Sequence, residues 1–444
     1  MAMRRLLLAS LLGSVGAVAP LPATAEEPAD VSADWSLHAQ LTGVYQGDAA
    51  FHSPYQGPNS LSGDTQIRES LSGTLYLGRR LPWQGGELYF NPEFNQGFGL
   101  SRTEGVEGFP NGEAQKAGFD TPKPNVARLF VRQTFGLGGE QEQIDDDDNQ
   151  LARPVDIARV TLTGGKFSAS DVFDDNRYAH DARTQFLNLS FWEAAAWDYP
   201  ADAKGYTDGI AAELNQKRWA LRAGYFLVPK IANQRDLDPR FAKRFATVVE
   251  LETRHELWSE PGKLRFLVFA NRAPQASLGE AVALAQASGA APDTTALRRD
   301  SWKAGFAVNL EQALSDALGV FARVSWNDGK TEGWSFNDIN NSFAVGASLE
   351  GVRWGRPDDT VGLAGAVNRA SQALQRFLTA GGAGILAGDG RLSYAPEAII
   401  ETYYSLQVVR PVAVSLDYQF VANPAFNRDR GPVSIFAVRV HLHY

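Results

Sequence analysis

Trp35-Ser36-Leu37-His38-Ala39-Gln40-Leu41-Thr42-Gly43-Val44-Tyr45-Gln46 alternates in character with a period of two. Trp35, Leu37, Ala39, Leu41, Gly43 and Tyr45 fall on one face; Ser36, His38, Gln40, Thr42, Val44 and Gln46 fall on the other. Successive side chains of a strand point to opposite sides, so this is a strand with an apolar and a polar face. The apolar face begins and ends in an aromatic. The last segment repeats the pattern, with Phe436, Val438, Val440, Leu442 and Tyr444 set against Ala437, Arg439, His441 and His443. A single strand of this kind also suits a soluble sandwich, so the number of strands and their spacing decide the fold.

Sixteen such segments follow one another: 35–46, 65–78, 87–95, 126–136, 159–166, 208–215, 218–227, 245–257, 263–271, 301–310, 318–327, 342–351, 359–368, 397–408, 412–420 and 433–444. Thr184 to Phe191 is read as loop or short helix, because an even count suits a closed single-chain barrel. Long connections such as Gln96 to Asn125, Gly165 to Thr207, Arg272 to Asp300 and Arg369 to Pro396 alternate with short ones such as Gln216-Lys217 and Val409 to Pro411. Long external loops and short internal turns are the habit of transmembrane barrels. Leu137 to Ile157, with the acidic run Asp145 to Asp148, departs from this by being long where a short turn is expected.

The chain has 444 residues, no cysteine and a formal net charge of -9. Disulfides, cysteine nucleophiles and thiolate metal sites are excluded. Arg4 and Arg5, the apolar run Leu6 to Ala19 and the small-residue site Ala23-Thr24-Ala25 form a secretory signal peptide over residues 1–25. No other stretch approaches the ~18–20 apolar residues a spanning helix needs. Residues 26–444 are read as one domain. Cleavage removes two positive charges and no acid, and an acidic exported chain lacks the basic footprint of a nucleic-acid binder.

Backbone groups in hydrocarbon must pair within the protein, and strands achieve this only in a closed barrel. The polar face then lines a lumen that sixteen strands leave open to small solutes. Inward candidates include Arg68, Tyr89, Glu93, Arg128, Arg132, Glu213, Arg222, Arg254, Arg265, Arg323, Glu401, Asp417 and Arg439.

The sequence resembles the carbohydrate-selective porins of Gram-negative outer membranes, the OprB-like family. Phe51-His52-Ser53-Pro54-Tyr55-Gln56-Gly57, Asp171-Val172-Phe173-Asp174-Asp175-Asn176, His180-Asp181-Ala182-Arg183-Thr184-Gln185-Phe186, Trp197-Asp198-Tyr199-Pro200, Trp326-Asn327-Asp328-Gly329-Lys330 and Asn423 to Pro432 carry the resemblance. It implies a sixteen-stranded outer-membrane barrel that passes mono- and small oligosaccharides by passive diffusion. It also implies that Tyr444 is part of a signal read by the barrel-assembly machinery. The partners expected are small neutral sugars, outer-membrane lipid and that machinery. Monomer and trimer both stay open.

The connection Gly165 to Thr207 is too long for an ordinary loop and rich in Asp, Arg, Trp and Tyr, which points to a loop folded into the lumen. Carboxylates and guanidiniums there can hydrogen-bond sugar hydroxyls, and aromatic faces can cover apolar sugar surfaces. Arg177, Asp181, Arg183, Trp197, Asp198 and Tyr199 of this loop, with Arg68, Glu93 and Arg128 of the wall, are the expected constriction and sugar contacts. A soluble periplasmic sugar-binding β-protein and a glycoside hydrolase are the alternatives. Hydrolysis needs two suitably spaced carboxyls, but a wide polar channel does not raise a general acid's pKa. No catalytic residue or cofactor is assigned. His441 and His443, joined by His38 on closure, are a conceivable metal site, but nothing in the sequence forces a carboxylate beside them, and none is assigned. Asp145 to Asp148 lacks the glycine and terminal glutamate of a calcium loop and is expected to stay solvated.

Overall fold

The computed structural model describes residues 34–444; the signal-peptide reading lies outside them. The strands are β1 (Trp35–Asp48), β2 (Gln66–Arg80), β3 (Gly86–Gly97), β4 (Phe119–Gly136), β5 (Gln141–Ile144), β6 (Arg153–Asp156), β7 (Arg159–Phe167), β8 (Thr207–Asn215) and β9 (Trp219–Phe226). The second half adds β10 (Phe245–Leu257), β11 (Glu260–Gln275), β12 (Arg299–Ser315), β13 (Leu318–Asn327), β14 (Asn341–Glu350), β15 (Thr360–Arg369), β16 (Glu397–Val409), β17 (Val412–Ala422) and β18 (Val433–His443). Sixteen of them close into one antiparallel barrel in chain order, and β5 and β6 form a separate two-stranded sheet. Closure joins β18 to β1, with Gln40 opposite His443 and Asp48 opposite Ile435.

All sixteen expected segments are barrel strands. The largest boundary difference is at β4, which starts at Phe119 and reaches β3 through two register shifts. Thr184 to Phe191 is loop running into a short helix, α1 (Leu189–Trp192). The helical patterns in the loops become α2 (Leu278–Ser288), capped by the Ser277 hydroxyl, and α3 (Gln372–Thr379), capped by that of Ser371. The small sheet of β5 and β6 sits inside the Leu137 to Ile157 connection, where no strand was expected.

The two faces of the wall differ as the alternation requires. Leu37, Ile67, Leu75, Leu363, Leu416 and Phe436 stand exposed on the outside. On a water-soluble protein this would be a large bare apolar surface; around a barrel it is the lipid-facing band. Aromatics edge the band: Trp35, Trp219, Trp258 and Tyr444 at the turn end, and Tyr45, Trp302 and Trp326 at the long-loop end, all exposed. The apolar core lies inside the lumen, where Phe167, Phe173, Phe186, Phe191 and Trp197 are buried. Four of these five, Phe173, Phe186, Phe191 and Trp197, come from the single connection between β7 and β8.

Candidate functional site

Ser168 to Tyr206, between β7 and β8, crosses the lumen. Backbone taken out of water must find partners, and the inward wall supplies them. Glu401 Oε1 and Oε2 accept from the amides of Leu187 (2.5 Å) and Asn188 (3.0 Å), and Glu250 Oε2 accepts from that of Asp174 (2.7 Å). Arg323 donates to the carbonyls of Ala179 (2.7 Å), Phe191 (2.5 Å) and Asp174 (3.0 Å). Arg439 donates to those of Ala182 (2.8 Å) and Gln185 (2.6 Å). Wall residues from β10, β13, β16 and β18 thus grip one loop, so the loop spans the bore.

Apolar contacts seat it as well. The Phe186 ring packs against Phe321 and Tyr403, with centroids 5.6 and 5.0 Å apart. Leu187 clusters with Val44 and Ala437. Gly319 lets Tyr178 lie flat on β13, because a Cβ there would fall 2.0 Å from the tyrosine ring. The inward face is therefore apolar only where the loop rests on it.

At one end of this loop an ionic node ties together four segments. Arg183 reaches Glu93 Oε2 of β3 (3.2 Å) and Glu113 Oε1 of the preceding long loop (3.1 Å), and donates to the Tyr76 hydroxyl of β2 (3.2 Å). The Tyr206 hydroxyl also donates to Glu93 (2.8 Å). Burial works to raise the Glu113 carboxyl, yet Arg183, Lys116 and the Ser72 hydroxyl hold it down at about 2. Beside the node, Arg128 grips Asp171 through both oxygens, at 2.7 and 2.5 Å. Burial opposes ionisation of Asp171 too, but the guanidinium outweighs it and keeps the group below the usual carboxylate range.

The expected contact residues separate into two groups. Arg68 and Arg177 are exposed, Arg68 on an open cavity of about 500 Å³ between β2 and the first turn of the next loop. Arg128 faces the lumen. Asp181 is partly exposed but accepts from its own turn, from the Arg183 amide (3.0 Å) and the Thr184 hydroxyl (2.9 Å). Arg183, Glu93, Trp197, Asp198 and Tyr199 are all buried. Trp197 is 3% exposed, edge-on to Phe173 and tilted against Tyr199, so it offers no stacking face to a sugar. Asp198 accepts from the amides of Trp334 (3.0 Å) and Ser335 (2.8 Å) and pairs with Lys303 (3.2 Å). The physical reason is simple: a loop this long inside a barrel needs its own core and its own polar pairing.

A second segment enters from the turn end. Leu137 to Ile157 folds back against the barrel mouth, where Asn149 accepts from Asn91 (2.8 Å) and Arg132 (2.9 Å) and Arg153 pairs with Glu87 (3.1 Å). Asp145, Asp146 and Asp147 of the acidic run stay exposed, yet two of its carboxylates find partners: Asp146 meets His38 at 2.9 Å and Asp148 meets His443 at 3.1 Å. Nothing in the sequence forced a carboxylate beside those histidines, and the structure supplies two through the same contacts, while His441 turns to Thr42 instead (2.9 Å). Between this hairpin and the crossing loop lies a cavity of about 280 Å³, lined by Tyr89, Arg132, Asp171, Asp175, Glu213 and Arg222 among others. Sequence reasoning placed these residues inward or on the loop without selecting them as contacts. The signal available was that both unusually long connections flank the strands that carry them.

The carbohydrate-selective porin model, the OprB family, matches residues 59–444. The chain belongs to that family. No curated protein matches this chain in sequence. Among solved structures, the high-pH form of Pseudomonas putida OprB is similar over 93% of this chain and 94% of that one, with 15% identity and a TM-score of 0.68. The outer membrane channel DcaP of Acinetobacter baumannii is similar over 95% and 100%, at 9% identity and a TM-score of 0.49. The low-pH form of Pseudomonas putida OprB gives 93% and 93%, 12% and 0.48. The first of these shows the shared barrel fold. This porin is a sugar channel of the Gram-negative outer membrane.

In this porin the wall charges are interleaved: Arg222 and Arg265, with Arg254 on Glu252 (2.8 Å) and Lys263 on Glu311 (3.4 Å), set four cations against five carboxylates. Cross-strand register sets Glu213 opposite Arg222 and Arg222 opposite Glu250, and Glu252 opposite Arg265. Arg222 reaches Glu213 (2.6 Å), Glu250 (2.8 Å) and Glu252 (3.2 Å). Arg265 reaches Glu252 (2.9 Å), Glu311 (2.9 Å) and Asp175 (3.0 Å). Asp175 remains 53% exposed at its side chain and Glu213 21%, so this ladder presents two carboxylates to the cavity.

Proposed function

We propose that this porin admits small neutral sugars by passive diffusion and selects them in the cavity between the crossing loop and the hairpin, through Asp171, Asp175, Arg132 and Arg222. The observation that carries this reading is the mutually paired Arg and Glu ladder. Opposite charges in contact leave little net field to draw ions, yet their remaining lone pairs and N–H groups hydrogen-bond a polyol. A volume of about 280 Å³ lies just below the roughly 300–1,000 Å³ of small-ligand sites, which favours monosaccharides. Arg183, Glu93, Trp197, Asp198 and Tyr199 are assigned to holding the loop in place, and Arg68 and Arg177 to the solvent side of the path. Transport of this kind needs binding weak enough to release.

We assign no catalytic role. Glu401 is buried and bonded to the loop, and Asp417 is buried and accepts from Gln419 (3.1 Å), so both are out of a substrate's reach. Tyr444, exposed just past the end of β18, is proposed as part of the signal that the assembly machinery reads.

The test is planar-bilayer conductance with added glucose. A lost hydrogen bond of about 1 kcal/mol should weaken glucose block roughly fivefold in Asp175→Ala, with ion conductance little changed. Unchanged glucose block in Asp175→Ala and in Arg132→Ala would remove the selection site from this cavity.

A further inference from the structure

His38 and His443 come from opposite ends of the chain and meet at the barrel seam. Gln40 pairs with His443, so His38 is its diagonal neighbour on the same inward face. Their rings stack with centroids 6.0 Å apart and planes 10° from parallel. The hairpin brings two carboxylates to them. Asp146 Oδ2 lies 2.9 Å from His38 Nε2, and Asp148 Oδ1 lies 3.1 Å from His443 Nε2. One ligand atom each from His38, Asp148 and His443 lies within 4.8 Å of the other two.

We propose that His38, His443 and Asp148, with Asp146 beside them, bind a divalent transition-metal ion such as Zn²⁺, which fastens the hairpin across the periplasmic mouth. Two imidazoles with carboxylates suit zinc and its neighbours, whereas magnesium and calcium take oxygen ligands. Ligand atoms at about 2.0–2.1 Å from a tetrahedral metal stand roughly 3.4 Å apart, so the two His–Asp contacts would open by a few tenths of an ångström, while separations of up to 4.8 Å would close by as much as about 1.4 Å.

The carboxylates are also held for the purpose. Asp147 and Gln150 exchange backbone hydrogen bonds in a tight turn (3.1 and 2.9 Å), with Asn149 in the left-handed region at φ 57°. Asn149 is itself pinned to Asn91 and Arg132. Asp148 therefore faces the seam on a fixed turn. The ion would join three segments far apart in sequence, and binding of this kind is stabilisation of the docked hairpin.

Full-length protein in detergent, stripped by chelator, is titrated with Zn²⁺ in a calorimeter. One Zn²⁺ per chain is expected. Loss of even an outer partner of a metal ligand weakens affinity about 10- to 100-fold, so His38→Gln and Asp148→Asn should each cost at least that. His52→Ala, distant from the seam, should bind as the parent does. A spin label at Gln143 should lose mobility with Zn²⁺ in the parent and keep it in Asp148→Asn. No zinc uptake, or equal uptake by the parent, His38→Gln and Asp148→Asn, overturns the site. Glucose-dependent liposome swelling on the same samples keeps that outcome apart from any failure of the sugar-channel reading.

Discussion

Two of the segments inside the bore are held to different degrees, although the hairpin too has one well-covered pair, Arg153 with Glu87 at 13% and 2% exposed. The crossing loop, Ser168 to Tyr206, is fixed by buried groups: Arg323 and Asp174 pair at 3.2 Å with side chains 2% and 1% exposed. The hairpin, Leu137 to Ile157, is fixed in good part by exposed pairs such as Lys217 with Glu140, at 69% and 66%, and Arg159 with Glu142, at 16% and 45%. Charges buried in pairs are costly to separate, whereas exposed pairs are worth ~0–1 kcal/mol. On this difference we propose the loop as the constriction and the hairpin as the more easily opened cover, because elements with weak, solvated contacts open first.

The largest effect should come from breaking the loop's grip. Arg323→Ala leaves the Asp174 carboxylate buried without its counter-charge and the loop carbonyls of Ala179, Phe191 and Asp174 without that donor, at a cost of about 3–5 kcal/mol. Reversible denaturant unfolding in lipid bilayers should show that loss, and single-channel conductance should rise as the loop loosens. A variant as stable and as narrow as the parent would mean that the buried pairs do not hold the loop.

Next in size is a pH effect at the Arg183 node. Glu113 sits near its ordinary 4.5 when unfolded and at about 2 when folded, so its ionised form favours the folded state. That contribution is complete above pH 4.5 and is lost as pH falls through about 2, with a size of about 3 kcal/mol. The stability difference between the parent and Glu113→Gln should therefore shrink between pH 4.5 and 2. A difference that stays constant with pH would detach Glu113 from Arg183.

How much of this was legible depends on range. All sixteen wall strands could be read because a period of two is local, and a strand in a barrel repeats it for its whole length. The length and charge of Gly165 to Thr207 marked it as the inward loop, and Arg128 and Glu93 as wall partners near it. Which face of that loop meets water was not legible, because burial of Trp197 and Tyr199 depends on Phe173 and Phe336 packing against them. A signal was available in the wall itself: Val44, Phe321 and Tyr403 are apolar residues on the polar face, and they mark where the loop rests. The hairpin gave no such sign. Asp146 and Asp148 meet histidines near the two ends of the chain, a contact that exists only once the barrel closes.

The smallest effect expected is at the hairpin, and its smallness is what the comparison needs. Lys217 Nζ and Glu140 Oε2 are 2.6 Å apart, but both side chains are mostly in water. Their attraction competes with hydration and with the entropy of two long side chains, so a double-mutant cycle with Lys217→Ala and Glu140→Ala should give a coupling of about 0–1 kcal/mol. Salt should remove most of it, since the screening length falls to about 3 Å at 1 M ionic strength. The same cycle on Arg183 and Glu93, buried in the lumen, should give a larger coupling that salt hardly alters. If the Lys217–Glu140 coupling matched it and resisted salt, the hairpin would be as firmly built as the loop, and the porin would have two fixed constrictions in place of one constriction and one cover.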